Sequence, residues 1–110
     1  MNRDEAKNWI LESCGAGWLT LVDQIYDELP ERVEVLSVYQ KWAELHCDTS
    51  REDEVFDKAL SGIQNKSRSM CEICGEKGSH YIIDFCETVR CEKHSEGGAL
   101  VPSKSTQCSE

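Results

Sequence analysis

The chain has 110 residues, 39% of them hydrophobic, with 12 basic against 21 acidic side chains and a formal net charge of −9. One domain of ordinary size fits this length, burying about 65% of the surface of its unfolded chain, and the acidic balance argues against wrapping a phosphate backbone, which needs clustered Lys and Arg. No run approaches the roughly 18 consecutive apolar residues of a membrane span, and seven cysteines, an odd number, fit a cytosolic metal-binding protein better than a disulfide scaffold.

The opening residues carry acids where a secretory leader needs a basic end, so the expected compartment is the cytoplasm, with thiols reduced. Asn2 followed by Glu5 has the form of a helix start. It predicts a first helix from Arg3 to Cys14, with Ala6, Trp9, Ile10 and Cys14 on the apolar face and Gly15 ending it. A second helix is expected from near Trp18, where Trp18, Leu19, Val22, Ile25, Tyr26 and Leu29 form one apolar face and Pro30 blocks continuation.

Residues 32–48 fit two patterns. Val35, Val38, Trp42 and Leu45 have helical spacing, whereas the β-branched density of Val33, Val35 and Val38, with Tyr39, favours a β-hairpin, although no Asn-Gly turn marks a reversal. The hairpin is the expectation. A long helix follows, started by Ser50 with Asp53 and loaded with acids at its positive end, with Val55, Phe56, Ala59, Leu60 and Ile63 as its buried stripe and an end near Lys66.

The strongest chemical signal is Cys71-Glu72-Ile73-Cys74-Gly75 followed, across sixteen residues from Cys74, by Cys91-Glu92-Lys93-His94. Two residues between ligands let a tight knuckle aim both donors at one ion, and the distance between the pairs suits a zinc module. Cys71, Cys74, Cys91 and His94 are therefore the expected ligands of one structural Zn²⁺, whose site four protein donors would close. Between them, Ser79 to Asp84 and Cys86 to Arg90 can pair as a hairpin, with Cys91 and His94 at a short helical turn. That order resembles a treble-clef zinc finger over Met70 to Glu96. Such a segment has too few large apolar side chains to fold without the roughly 10–16 kcal/mol a structural zinc supplies.

Other candidates are weaker. Cys86, five residues before Cys91, is an alternative ligand. Cys14, Cys47 and His46 lack paired spacing, and the two cysteines are expected as buried free thiols, with Cys108 as an exposed thiol. His80 stands where some treble-clef nucleases keep a catalytic histidine but lacks companion residues, and is expected as a lone surface histidine. No catalytic residue is assigned. The expected fold class is α+β: an N-terminal helix pair, a central β-hairpin, a long helix and the finger. Residues 1–96 form one domain, made of a mainly helical lobe over 1–69 and the finger over 70–96, with 97–110 as a flexible tail.

Cys14-Gly15-Ala16-Gly17-Trp18, then Leu21-Val22-Asp23, Val38-Tyr39-Gln40-Lys41-Trp42, and the two ligand pairs together resemble a group of small uncharacterised phage and prophage proteins. Those proteins share a Cys-Gly-x-Gly-Trp helix start and a C-terminal finger of this spacing. The present chain departs in the centre, where Trp42-Ala43-Glu44-Leu45 stands in place of a Phe-Gly-Gly-Leu turn. The resemblance implies a small accessory protein of a mobile element in a host cytosol, with no known enzymatic activity. The expected function is thus a zinc-stabilised, non-catalytic protein that modulates or inhibits a host or defence protein by direct contact. Its partner is a host or phage protein, with no direct nucleic-acid binding and no membrane. The alternatives are an acidic nucleic-acid mimic that fills a basic groove and a divergent nuclease using His80.

Overall fold

In the computed structural model, which describes residues 1–101, Asn2 and Glu5 close a full capping box. The Glu5 backbone N–H donates to Asn2 Oδ1 and the Asn2 backbone N–H to Glu5 Oε1, each at 2.8 Å. Helix α1 (Arg3–Ser13) follows and buries Ala6 and Ile10. Trp9, expected on that face, is 53% exposed. The buried stripe is set by the four-residue step from Ala6 to Ile10, and Trp9 falls about 100° to its side.

A 3₁₀ turn (Ala16–Trp18) leads into α2 (Leu19–Glu28), which buries Leu21, Val22 and Ile25. Leu19, Tyr26 and Leu29 are only half-buried and pack at the margin of the core. Arg3 pairs with Asp23 and Asp27, and Lys7 with Asp23, so charged side chains clip α1 to α2 along the surface. Such solvent-screened pairs fix the pairing of the helices more than they stabilise it.

The central segment is the expected hairpin. Strand β1 (Val35–Gln40) pairs antiparallel with β2 (Leu45–Thr49), from Val35 opposite Thr49 to Gln40 opposite Leu45. A bulge between Val35 and Ser37 shifts the alternation so that Val35 and Val38, three residues apart, both face the core. That bulge is why the segment also carries helical spacing. Lys41 and Glu44 exchange two backbone hydrogen bonds across the tip, and Trp42 and Ala43 both take positive φ, 54° and 61°. This is the backbone of a primed two-residue turn, made without Asn or Gly.

Helix α3 (Glu54–Ser67) is capped by Asp53, whose Oδ1 accepts from the Phe56 N–H at 2.8 Å and whose other oxygen pairs with Arg32. Ser50 is not the cap. It binds Glu34 instead, exchanging hydrogen bonds that close the base of the hairpin. The buried face of α3 is Phe56, Leu60, Ile63 and Ser67. Val55, expected among them, is 80% exposed, because it lies one residue, about 100°, off that line. Side chains of α1, α2, the hairpin and α3 form one apolar core around Trp18, Phe56, Ile10 and Leu45, and among the described residues beyond Met70 only Val89 joins its buried members.

After the knuckle at Cys71–Cys74 come β3 (Ser79–Ile83) and β4 (Cys86–Arg90), joined by a second two-residue turn in which Asp84 and Phe85 have φ of 51° and 68°. A 3₁₀ turn (Glu92–His94) follows, and then β5 (Ala99–Leu100). The sheet order is β4-β3-β5. Strand β5 places Ala99 and Leu100, expected within the flexible tail over 97–110, in the sheet. Tyr81 and Ile82 on β3 face Leu100 and Ala99, and the Val101 N–H donates to the His80 carbonyl, so the second edge of β3 recruits the chain to satisfy its backbone. Residues 102–110, with Cys108, lie outside the described residues. Among those described, no helix is long and apolar enough to cross a membrane.

Candidate metal centre

The two ligand pairs reach one point by different routes. Cys71 and Cys74 belong to a knuckle in which the Gly75 N–H donates to the Cys71 carbonyl at 2.9 Å and the Cys71 N–H to the Glu76 carbonyl at 2.7 Å. Cys91 is delivered by the end of β4 and stands as the N-cap of the 3₁₀ turn, whose single turn swings His94 back over it. The three sulfurs and one imidazole nitrogen all lie within 4.8 Å of one another. Cys74 Sγ is 3.7 Å from Cys91 Sγ, while His94 Nδ1 is 3.7 Å from Cys71 Sγ and 3.2 Å from Cys91 Sγ. Tetrahedral coordination with Zn–S bonds of about 2.3 Å separates sulfurs by about 3.8 Å. Cys71, Cys74, Cys91 and His94 can hold a metal ion.

The protonation of the thiols is shaped by the knuckle. Burial alone would raise the Cys71 thiol, but the backbone N–H groups of Cys74, Cys91 and Ile73 aim at its sulfur and bring it down to about 6. The Glu76 amide favours the Cys74 thiolate, yet desolvation and the neighbouring Cys91 and Cys71 sulfurs leave that thiol raised. One sulfur is thus poised as thiolate and its neighbour holds a proton, which a divalent cation would displace. Arg90 steadies the second pair from behind. It donates to the His94 carbonyl at 3.0 Å and to Glu96 Oε2 at 2.7 Å, and its Nε reaches Thr88 Oγ1.

The knuckle is pressed onto the helical lobe at two glycines. A Cβ on Gly17 would stand 2.0 Å from the Cys71 carbonyl oxygen, and one on Gly15, where φ is +147°, 2.7 Å from that of Glu72. No side chain fits there. The Gly17 N–H donates to the Glu72 carbonyl at 2.8 Å, and the Trp18 indole N–H to the Met70 carbonyl at 2.7 Å. The Cys-Gly-Ala-Gly-Trp motif is therefore the seat on which the Cys71–Cys74 knuckle rests.

Spacing gave no warning of Glu72, a 3% exposed carboxylate at the centre of this junction. Its Oε2 accepts from Thr88 Oγ1 at 2.8 Å, the Val89 N–H at 2.7 Å and Gln40 Nε2 at 3.2 Å. Gln40 also donates to the Glu87 carbonyl at 2.5 Å, so a lobe side chain and the Glu72 carboxylate together bond the outer edge of β4. In the sequence Glu72 is one acid among many. Only its place between a cysteine and an isoleucine in a knuckle distinguishes it.

The remaining candidates do not converge on the centre. Cys86 is exposed at the start of β4 and is not among the four donors. Cys14 and Cys47 are half-buried and free, each pushed up by burial to about 11 and therefore protonated at neutral pH. His46 stacks on Tyr39 with ring centroids 5.5 Å apart and contacts Glu44 at 3.3 Å. His80 Nε2 is buried and lies 2.9 Å from Glu87 Oε1 without a hydrogen bond between them. No protein-family model, no curated protein and no solved structure matches this chain.

Proposed function

We propose that this chain is a zinc-stabilised, non-catalytic binding protein of phage or prophage type, which works in a host cytosol and modulates or inhibits a host or defence protein by direct contact. The observation that carries the zinc half of this reading is the four-donor cluster of Cys71, Cys74, Cys91 and His94. Three thiolates and an imidazole are the soft donors that select Zn²⁺ over Mg²⁺ or Ca²⁺. Four protein donors also fill a tetrahedral shell, which characterises an ion that organises structure rather than one that activates water. Because the knuckle is seated on Gly15 and Gly17, the ion's binding free energy fixes the finger against the lobe and so presets the surface that both present.

The test pairs metal content with partner capture from nuclease-treated bacterial lysate. Native mass spectrometry should find one zinc per chain, and none in a Cys74→Ser, Cys91→Ser variant. The zinc-loaded chain should retain one protein near equal stoichiometry that the variant does not. Zinc without any retained protein would remove the binding half of the reading.

One observation favours a second reading, a divergent nuclease: the His80–Glu87 pairing on the β3–β4 hairpin. It expects DNA cleavage dependent on Mg²⁺ or Mn²⁺ and lost in His80→Ala. A cleavage rate that the substitution leaves unchanged would dispose of it.

A further inference from the structure

Between α1, the tip of the β1–β2 hairpin and the start of β4 lies an open groove of about 520 Å³. Its walls combine rings and acid. Trp9 and Trp42, 53% and 70% exposed, stand on it with Tyr39. Trp42 does so from a positive-φ turn position at which Asn or Gly would be less strained. Non-glycine residues held in such strained conformations cluster at active sites and ligand clamps.

The acid is Glu72, which lines the same groove. It has no Lys, Arg or His within ion-pair distance among the described residues. Three donors fix its Oε2, and beside it in the same wall stands the thiol of Cys14, a neutral group rather than a cation. A carboxylate taken out of water without a cation leaves unused attraction for one. Glu87 adds a second carboxylate to the wall, and Lys41 is the one cation among the described lining residues. Lys41 Nζ rests 4.6 Å from the centroid of the Trp42 ring, so the chain's own side chain already uses that face as a cation acceptor.

We propose that this groove docks a protein partner through an arginine side chain, its guanidinium stacked on the tryptophan rings and paired with Glu72. Arginine fits because its planar guanidinium both stacks on aromatic faces and presents several donors to a carboxylate, and because it is less strongly hydrated than an ammonium. A side chain presented by a protein fits an open groove, whereas small ligands sit in sites that enclose 70–90% of their surface. The net charge of −9 draws a basic partner towards it. This inference deepens the binding-protein reading and rests on it.

The test is NMR titration of the ¹⁵N-labelled, zinc-loaded full chain with acetyl-Gly-Gly-Arg-Gly-Gly-amide. Parallel titrations use the same peptide with citrulline or norleucine at the central position, and methylguanidinium chloride. Saturable shifts are expected at the Trp9 and Trp42 indole N–H signals, with at least tenfold weaker binding of the citrulline and norleucine peptides and fivefold weaker binding of methylguanidinium. Trp42→Ala, whose side chain is mostly in solvent, should weaken the arginine peptide at least fivefold, and Glu72→Gln likewise in protein that retains its zinc. Equal response to citrulline or norleucine, an unchanged affinity in Trp42→Ala, or shifts as large at the acidic start of α3 as in the groove would overturn the proposal. Methylguanidinium binding as well as the peptide would overturn it in favour of a small-molecule site. If the arginine peptide fails while wild type and Trp42→Ala capture the same partner, the groove inference falls and the binding-protein reading stands.

Discussion

The lobe before Met70 and the finger after it are built on opposite principles. The lobe buries Trp18, Phe56, Leu21, Ile25, Leu45 and other apolar side chains in a single core, while the described residues of the finger bury Cys71, Cys91, Thr88, Glu72 and one aliphatic residue, Val89. Full burial of a large apolar side chain is worth about 1.5–3 kcal/mol, and one such residue cannot offset the ordering of some 30 residues at about 1–2 kcal/mol each. The difference teaches where stability comes from in a chain of this size. The lobe supplies its own, and on the zinc reading proposed above the finger borrows it from a metal and from the seat the lobe provides.

Of the single substitutions, Phe56→Ala should separate the regions most strongly. It opens a cavity at the base of α3 and is expected to cost about 3–5 kcal/mol, read as a lower midpoint in urea, while the chain folded below that midpoint keeps its full metal stoichiometry. Next is the seat. Gly17→Ala drives a Cβ onto the Cys71 carbonyl and is expected to cost about 2–4 kcal/mol. Gly62→Ala, in the open on α3 with nothing within 4 Å of its Cβ, should gain about 0.5–1 kcal/mol. Chemical denaturation of both variants checks the pair, and equal effects would mean that the knuckle does not press on the lobe.

The two regions also differed in how much of them the sequence disclosed. Helical stripes and caps announced α1, α2 and α3, and the ligand spacing announced the cluster, because both are local rules written in adjacent residues. Trp9 and Val55 were misplaced because each is an apolar neighbour of the true stripe, and one residue is 100° of helix. The hairpin turn at Trp42-Ala43 and the strand at Ala99–Leu100 carried no signal. The first uses residues that disfavour its backbone, and the second exists because β3 offers an edge. Glu72, Gly15 and Gly17 matter through contacts made across the fold, which spacing along the chain does not report.

Smaller effects sharpen the contrast. Phe85 is fully exposed at a φ of 68° in the finger's turn, so Phe85→Gly should stabilise the metal-loaded finger by about 1 kcal/mol, visible as slower hydrogen exchange in β3 and β4. The thiols of the two regions should respond to pH in opposite senses. Cys14 and Cys47, raised to about 11, keep their protons when the unfolded chain loses them near 9. Stability of the lobe therefore falls as pH rises from 9 towards 11, and less so in a Cys14→Ala, Cys47→Ala variant. Cys71 is lowered to about 6. On the zinc reading the finger folds only with its ion, and protons compete with that ion for the sulfurs, so the stability of the metal-loaded finger falls as pH falls. Thermal melts across both windows measure the two slopes.

The most direct measurement is hydrogen exchange, residue by residue, on the metal-loaded chain before and after removal of the ion by a chelator. Protection should disappear from residues 71–101 and persist in α1, α2, α3 and the β1–β2 hairpin, with re-addition of Zn²⁺ restoring it. Protection of β3 and β4 that survives chelation, or a lobe that unfolds with the finger, would contradict the division of the molecule into a part held by its core and a part held by a metal.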